Sequence, residues 1–265
     1  MFEKLSKLFR PHPATPLPSV PAETRIYAVG DIHGRRDLFD ALIMAIEADD
    51  KSRSPARTTI VLLGDLIDRG PDSAGVIAAA RELKARRRVR ILCGNHEEMF
   101  LRCGEDLELF RHFLRYGGRE TILSYPLDEA CWNAADLAQG QAMMREAVPA
   151  ADLDFIRSFE DSVVIGDYCF VHAGIAPGVS IEDQSPTDLH WIREPFLGHG
   201  GDHGFVIVHG HSISPMPVIR SNRIGIDTGA YSSNRLTALV LEGSARWLIS
   251  TDMIDGRVAC EIAAA

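Results

Sequence analysis

From Arg25 onward the apolar positions follow two periods. RIYAVG (25–30), TTIVLLG (58–64) and VRILCG (89–94) are short apolar runs, each closed by a glycine and a polar residue. Between the first two, Asp37 to Ala48 places Leu38, Ala41, Leu42, Ala45 and Ile46 on one helical face, and Ser73 to Arg87 repeats the helical pattern. A third helical stretch begins at Glu97. Strand, loop and helix recurring at roughly 30-residue intervals predict βαβ units. Strands apolar on both faces predict a buried, mostly parallel sheet.

Residues 98–160 read as largely helical, with a turn at Tyr116-Gly117-Gly118 and a loop around Ser124 to Asn133. Strand signals then return in DSVVIG (161–166), DYCFVHAG (167–174), FVIVHG in the 204–210 region, PVIRS (217–221), RIGIDTG (223–229) and RLTALVLEG (235–243), with hairpin-length connections expected between them. The predicted fold is α/β: two mixed β-sheets with helices outside and a helical insert over 98–160. One domain is expected over 25–265, after a proline-rich arm at 1–24 with Pro11, Pro13, Pro16, Pro18 and Pro21. Within that arm Phe2, Leu5, Leu8 and Phe9 could share a helical face, read as a short helix docking on the domain or a frayed terminus rather than as a membrane-surface helix.

Composition narrows the function classes. The chain has 265 residues, 46% hydrophobic and 25% charged, which is ordinary globular composition. A net charge of −9 argues against a general nucleic-acid coat, which depends on basic charge, but leaves room for a local phosphate-binding patch. No apolar run approaches a membrane span. The first ten residues lack the apolar core of a secretory signal. Five scattered cysteines without a C-x-x-C pattern suit reduced thiols, so a cytoplasmic protein is expected.

The first three strands each end in a polar cluster: Gly30-Asp31-Ile32-His33-Gly34, then Gly64-Asp65-Leu66-Ile67-Asp68-Arg69-Gly70, then Gly94-Asn95-His96-Glu97. One Gly-Asp pair is ordinary turn chemistry. Three at successive strand ends, where open α/β sheets bind ligands, predict one shared crevice. Val171-His172-Ala173-Gly174 and His209-Gly210-His211-Ser212 add two more clusters after apolar strands. Carboxylate, amide and imidazole donors together suit a divalent first-row metal better than Ca²⁺. The donors Asp31, His33, Asp65, Asn95, His172 and His211 suffice for two ions if one carboxylate bridges, a device suited to phosphoryl hydrolysis.

The order GDxHG, GDxxDRG, GNHE, HAG, GHS resembles the phosphoprotein phosphatase branch of the calcineurin-like metallophosphoesterases over residues 25 to about 243. The resemblance implies Asp31 and His33 on one metal, Asp65 bridging, and Asn95, His172 and His211 on the other, with a hydroxide between the ions attacking phosphorus in line. It implies His96 as general acid oriented by Asp68, and Arg69 and Arg193 as phosphate-binding arginines. Two divalent ions are implied, Mn²⁺ first, with Fe²⁺/Fe³⁺ or Zn²⁺ as options. Imidazole can protonate an alkoxide leaving group near neutrality, and guanidinium forks match phosphoryl oxygens.

Within that branch the chain is similar to small bacterial serine/threonine protein phosphatases in Tyr116 to Tyr125 and Leu189 to Phe196, with tyrosine phosphate a further substrate. It is also similar to symmetrical diadenosine tetraphosphate hydrolases, which release ADP. Asn95-His96-Glu97, where that group usually carries Asn-His-Asp, favours the protein phosphatase, so a phosphoprotein is the expected partner and a dinucleoside polyphosphate the alternative. A catalytically dead scaffold is a third reading, disfavoured because every proposed ligand and His96 stand.

Remaining candidates have plainer readings. His209 is expected beside the ligands rather than among them. Asp227 could orient a histidine or serve a turn. His12, His112, His190, His199 and His203 are expected to be surface or structural. Cys93 reads as a buried thiol and Arg86-Arg87-Arg88 as cations suited to a helix end. The insert aromatics Phe100, Phe110, Phe113, Tyr116, Tyr125 and Trp132 could stack an adenine, but core is the default reading.

Overall fold

The computed structural model describes residues 17–265, so the helical face expected at Phe2 to Phe9, and His12, fall outside the described residues. Ile26 to Val29 are wholly buried because β1 (Thr24–Val29) runs through the centre of a six-stranded sheet. Parallel to it lies β2 (Arg57–Leu62), and parallel to that β3 (Val89–Ile91). On its other side the antiparallel strands β9 (Thr237–Glu242), β10 (Ala245–Ile254) and β11 (Arg257–Ala264) give the order β11-β10-β9-β1-β2-β3. The crossovers are α1 (Arg36–Ser52) and α2 (Ser73–Arg86), at the places the apolar periodicity predicts.

A second sheet, ordered β4-β5-β6-β8-β7, comprises β4 (Ser162–Ile165), β5 (Tyr168–Val171), β6 (Val206–His209), β7 (Val218–Ile219) and β8 (Arg223–Gly225). Alternate residues of β1 serve two cores. Tyr27 and Val29 pack under the helices, whereas Ile26 and Ala28 meet Val163, Phe170, Val208 and Ile224 of the second sheet. The two sheets are therefore pressed face to face, with helices covering the outer face of the first.

The insert forms α3 (Asn95–Cys103), α4 (Leu107–Phe113), α5 (Arg119–Leu123), α6 (Glu129–Ala134), α7 (Leu137–Ala147) and α8 (Ala150–Arg157). The turn expected at Tyr116-Gly117-Gly118 is a kink between helices, where Gly117 adopts φ 107°. Two expectations need correction. The loop expected at Ser124 to Asn133 contains most of α6, started by Asp128, whose side chain accepts from the Cys131 N–H. The second half is not all hairpins: β5, β6 and β8 are mutually parallel, and α9 (Pro186–Trp191) lies in the long β5–β6 crossover. A short helix, α10 (Ala230–Ser233), leads from β8 to β9, and β10 and β11 extend the first sheet beyond the predicted elements. No helix among the described residues is long and apolar enough to cross a membrane.

Candidate active site

Five strand ends converge. The loops after β1 and β2 are stitched by backbone bonds, Ile32 and His33 N–H to Asp65 O at 3.1 and 2.8 Å and Gly34 N–H to Leu66 O at 2.9 Å. The loop after β3 is joined to them through Glu97, whose carboxylate accepts from the N–H groups of Asp65, Leu66 and Gly94 at 2.8–2.9 Å. Buried beside Asp65, Glu97 has its pKa pushed up to about 7. Glu97 is thus the buckle of the site, a role the sequence reading did not assign.

Backbone shape does the rest. His33, Asp65, Asp68, Arg69 and His211 all have φ between 47° and 72°, the left-handed region that costs a non-glycine residue about 1 kcal/mol or more. Such conformations persist where the surroundings over-determine them. Gly94 and Gly210 permit the close approach of the carboxylates: a Cβ at either would lie 2.1 Å from Asp65 Oδ1 or 2.0 Å from Asp31 Oδ1.

Asp65 is at the centre. His33, Asp65 and His96 form one group, and Asp65, His172 and His211 another; within each, the potential ligand atoms lie within 4.8 Å of one another. Tautomers are fixed from behind: His33 Nδ1 donates to Ile67 O at 2.8 Å and His172 Nδ1 to Leu63 O at 2.8 Å, which turns both Nε2 lone pairs inward. His172 Nε2 and His211 Nδ1 approach Asn95 Oδ1 at 3.1 and 2.9 Å. Asp31 accepts the His211 N–H at 3.0 Å; of the six predicted ligands, it and Asn95 lie outside both groups of three.

The electrostatics are those of a cation site. Burial lowers the His33 and His172 pKa values, and with the charge of His172 brings His211 down to about 3. Burial opposes ionisation of Asp65, but His172, His96, His33 and His211 outweigh it and hold its pKa well below the carboxylate range. Burial and then Asp227 push Asp31 well up, and burial raises Asp227 to about 6. Neutral imidazoles around crowded carboxylates, with the buried His211 Nε2 lacking a hydrogen-bond partner, fit divalent ions.

His96 stands at the edge of this set. Its Nδ1 meets Asp68 Oδ2 at 2.5 Å, and Asp68 Oδ1 accepts the Thr121 hydroxyl at 2.6 Å. Burial works against a charged His96, but Asp65 and Asp68 prevail and raise its pKa. Arg69 reaches His33 Nε2 at 2.7 Å and His96 Nε2 at 2.9 Å, with the Tyr231 ring 4.8 Å from its guanidinium carbon. Arg193 Nη2 lies 3.5 Å from His211 O. Asp65, Arg69, Asn95, His96, Arg193 and His211 line a cleft of about 220 Å³, walled further by Met99, His112, Tyr116 and Trp191.

Other histidines separate cleanly. His112 is exposed, as expected, and also lines the cleft, its ring 4.5 Å from that of Tyr116. His209 faces away from the cleft, against Phe196 at 5.1 Å and Arg223 at 3.4 Å. His190 is buried between Glu98 and Asp161 at 3.1 and 3.0 Å, and His199 and His203 pack together. Asp227 takes a turn bond from Gly229 N–H at 2.9 Å beside Asp31. Among the insert aromatics only Tyr116 reaches the cleft; Phe100, Phe110, Phe113, Tyr125 and Trp132 are core.

Residues 24–240 match the profile of the calcineurin-like phosphoesterases, and the chain belongs to that family. An asymmetrical bis(5'-nucleosyl)-tetraphosphatase, PrpE, of Anoxybacillus flavithermus is 29% identical over 238 residues, covering 80% of this chain and 88% of the relative. Serine/threonine-protein phosphatase 1 of Salmonella typhimurium is 29% identical over 222 residues, covering 80% and 89%. A cold-active protein-tyrosine phosphatase of a psychrophilic Shewanella superposes with a TM-score of 0.53 at 20% identity, covering 95% of this chain and 88% of that one, which shows a shared fold.

Proposed function

We propose that this phosphoesterase is a serine/threonine protein phosphatase that also accepts phosphotyrosine. The observation that carries the reading is the cleft: about 220 Å³, with Arg69, His96 and Arg193 around carboxylate and imidazole groups that share Asp65. That volume is below the roughly 300–1,000 Å³ of sites that enclose a whole small ligand, so it suits a phosphorylated side chain projecting from a larger body. Two divalent ions held by Asp31, His33, Asp65, Asn95, His172 and His211 would supply positive charge to the phosphoryl group and an activated water.

The chain's own residues do the remainder. Arg69 and Arg193 grip phosphoryl oxygens, where planar forks hold orientation as well as charge. Asp68, anchored by Thr121, holds the His96 proton on Nδ1 when the ring is neutral and stabilises the ring when both nitrogens are protonated. In the latter state His96 Nε2 gives its proton to the departing serine or threonine oxygen.

A second reading, hydrolysis of a dinucleoside tetraphosphate, is supported by Tyr116, His112 and Trp191, which offer a nucleobase a surface on which to stack. Product analysis on protein reloaded with Mn²⁺ decides between them. The proposal expects orthophosphate from phosphoserine, phosphothreonine and phosphotyrosine peptides to form much faster than any nucleotide from diadenosine tetraphosphate. Dominant release of ADP, or of ATP with AMP, would overturn it.

A further inference from the structure

Strand β11 ends the six-stranded sheet, and among the described residues nothing pairs with its outer edge. It follows β10 through the two-residue turn Asp255-Gly256, where φ is 50° and 74°, and the turn closes Ile254 against Arg257. In such a hairpin the closing residues exchange backbone bonds, so Arg257, Ala259, Glu261 and Ala263 are satisfied by β10. Val258, Cys260, Ile262 and Ala264 therefore aim their N–H and C=O groups outward.

This edge lacks the usual protections. It contains no proline and no lysine, and its register with β10 runs unbroken from Ile254↔Arg257 to Trp247↔Ala264, so no bulge twists it away. Its two charges, Arg257 and Glu261, have opposite sign and share one face. The other face carries Ile262, 59% exposed, and Cys260, whose thiol reaches Ala41 O of α1. Like charges would repel a second copy of this strand; opposite charges do not, and Glu261, 3.6 Å from Arg235 of its own chain, stays exposed enough to share.

We propose that β11 pairs antiparallel with β11 of a second copy of this chain, across a two-fold axis at Cys260, which joins the two six-stranded sheets into one. About that axis Val258 lies opposite Ile262 of the other copy, Cys260 opposite its own symmetry mate, and the outward backbone groups of all three meet. Arg257 is then diagonal to Glu261 of the other copy on the opposite face, within reach of long side chains. The interface is isologous and closes with two copies.

Sedimentation of the full chain over a concentration series tests this. A mass of twice 29.2 kDa at high concentration, falling to 29.2 kDa on dilution, is expected. Cys260→Pro removes an outward N–H together with the thiol that lies 3.6 Å from Ala41 O, and Ile262→Lys places like charges in the interface. Either variant should sediment as a monomer throughout, with an unchanged melting temperature and unchanged hydrolysis of p-nitrophenyl phosphate. If the proline variant fails to fold, the lysine variant alone carries the test. With the exposed Cys131 changed to Ser, a short bis-maleimide should link two copies through Cys260. A monomer at every concentration, or a dimer that survives both variants, overturns the proposal. So does a full chain that stays monomeric while a chain starting at Leu17 dimerises, because residues 1–16 would then be what covers the edge.

Discussion

Thr121 sits on α5, far along the chain from the strand-end loops, yet it completes the line that positions His96. Its hydroxyl donates to Asp68 Oδ1 and accepts the Asp68 N–H at 2.8 Å. Thr121→Val leaves the buried Asp68 Oδ1 without its hydroxyl partner, a loss of about 1–3 kcal/mol, while the Asp68 N–H keeps Ser73 Oγ at 3.0 Å. Calorimetry should show a lower melting temperature, and turnover on phosphoserine peptides should fall while KM changes little; Thr121→Ser should restore both. His96→Asn keeps the proposed metal donors but removes the proposed proton donor. Steady-state kinetics should show a 10²–10⁴-fold loss in kcat on alkyl phosphates and a much smaller loss on p-nitrophenyl phosphate, whose leaving group needs no proton. Equal losses on both would mean that His96 does not protonate the leaving group.

Residues such as Asp31, Asp65 and His172 were legible because each follows a strand and carries donor chemistry in a recurring pattern, and the structure does bring them together. Thr121 and Glu97 were not legible as site residues. Threonine on a helix and glutamate in a first turn are ordinary, and only the tertiary approach of α5 and of the β2 loop gives them partners. At Gly117 a φ of 107° brings the carbonyl to the Arg69 N–H at 3.0 Å, which presses the insert onto Arg69, the proposed phosphate-binding residue.

Elements α3 and α9 are clamped beside the cleft by one polar cluster. Glu98 on α3 accepts from Trp191 Nε1 at 2.8 Å and from His190 at 3.1 Å. Its hydrogen bond to His190 outweighs burial and brings its pKa down to about 2, while Glu98 and Asp161 raise that of His190 despite burial. The signs define a window. The glutamate's contribution is complete above its unfolded value of about 4.5 and fades as pH falls toward 2; the histidine's is complete below about 6.5 and is lost as pH rises through its elevated folded value. Denaturant titrations should therefore show His190→Phe losing the most stability, roughly 1–2 kcal/mol after solvent screening, near pH 5–6 and less at pH 3 or 9. A pH-independent loss would assign the clamp to packing alone.

Other elements differ in how plainly the chain announces them. β1, β2 and their helices are marked by apolar periods because both strand faces and one helix face are buried. β11 exposes most of its side chains, so no apolar period marks it; it exists because β10 offers an edge. The parallel order of β5, β6 and β8 was hidden because strand sequences do not encode which neighbour they meet, and the β5–β6 crossover carries only one short helix.

At the scale of the whole molecule, the site lies at the seam of two sheets: the first supplies Asp31, His33, Asp65 and Asn95, and the second supplies His172 and His211. Buried carboxylates and imidazoles held between two packed cores suit cations that bind only the folded state, so chelation should lower the melting temperature as well as activity. The central claim is that two ions sharing Asp65 are needed for turnover. Its most direct test titrates metal-stripped protein with Mn²⁺, following bound metal per chain and phosphate release together. The account predicts that turnover follows the second ion, and that Asp65→Asn loses both ions and activity. Full turnover with one ion per chain, or after complete chelation, would contradict it.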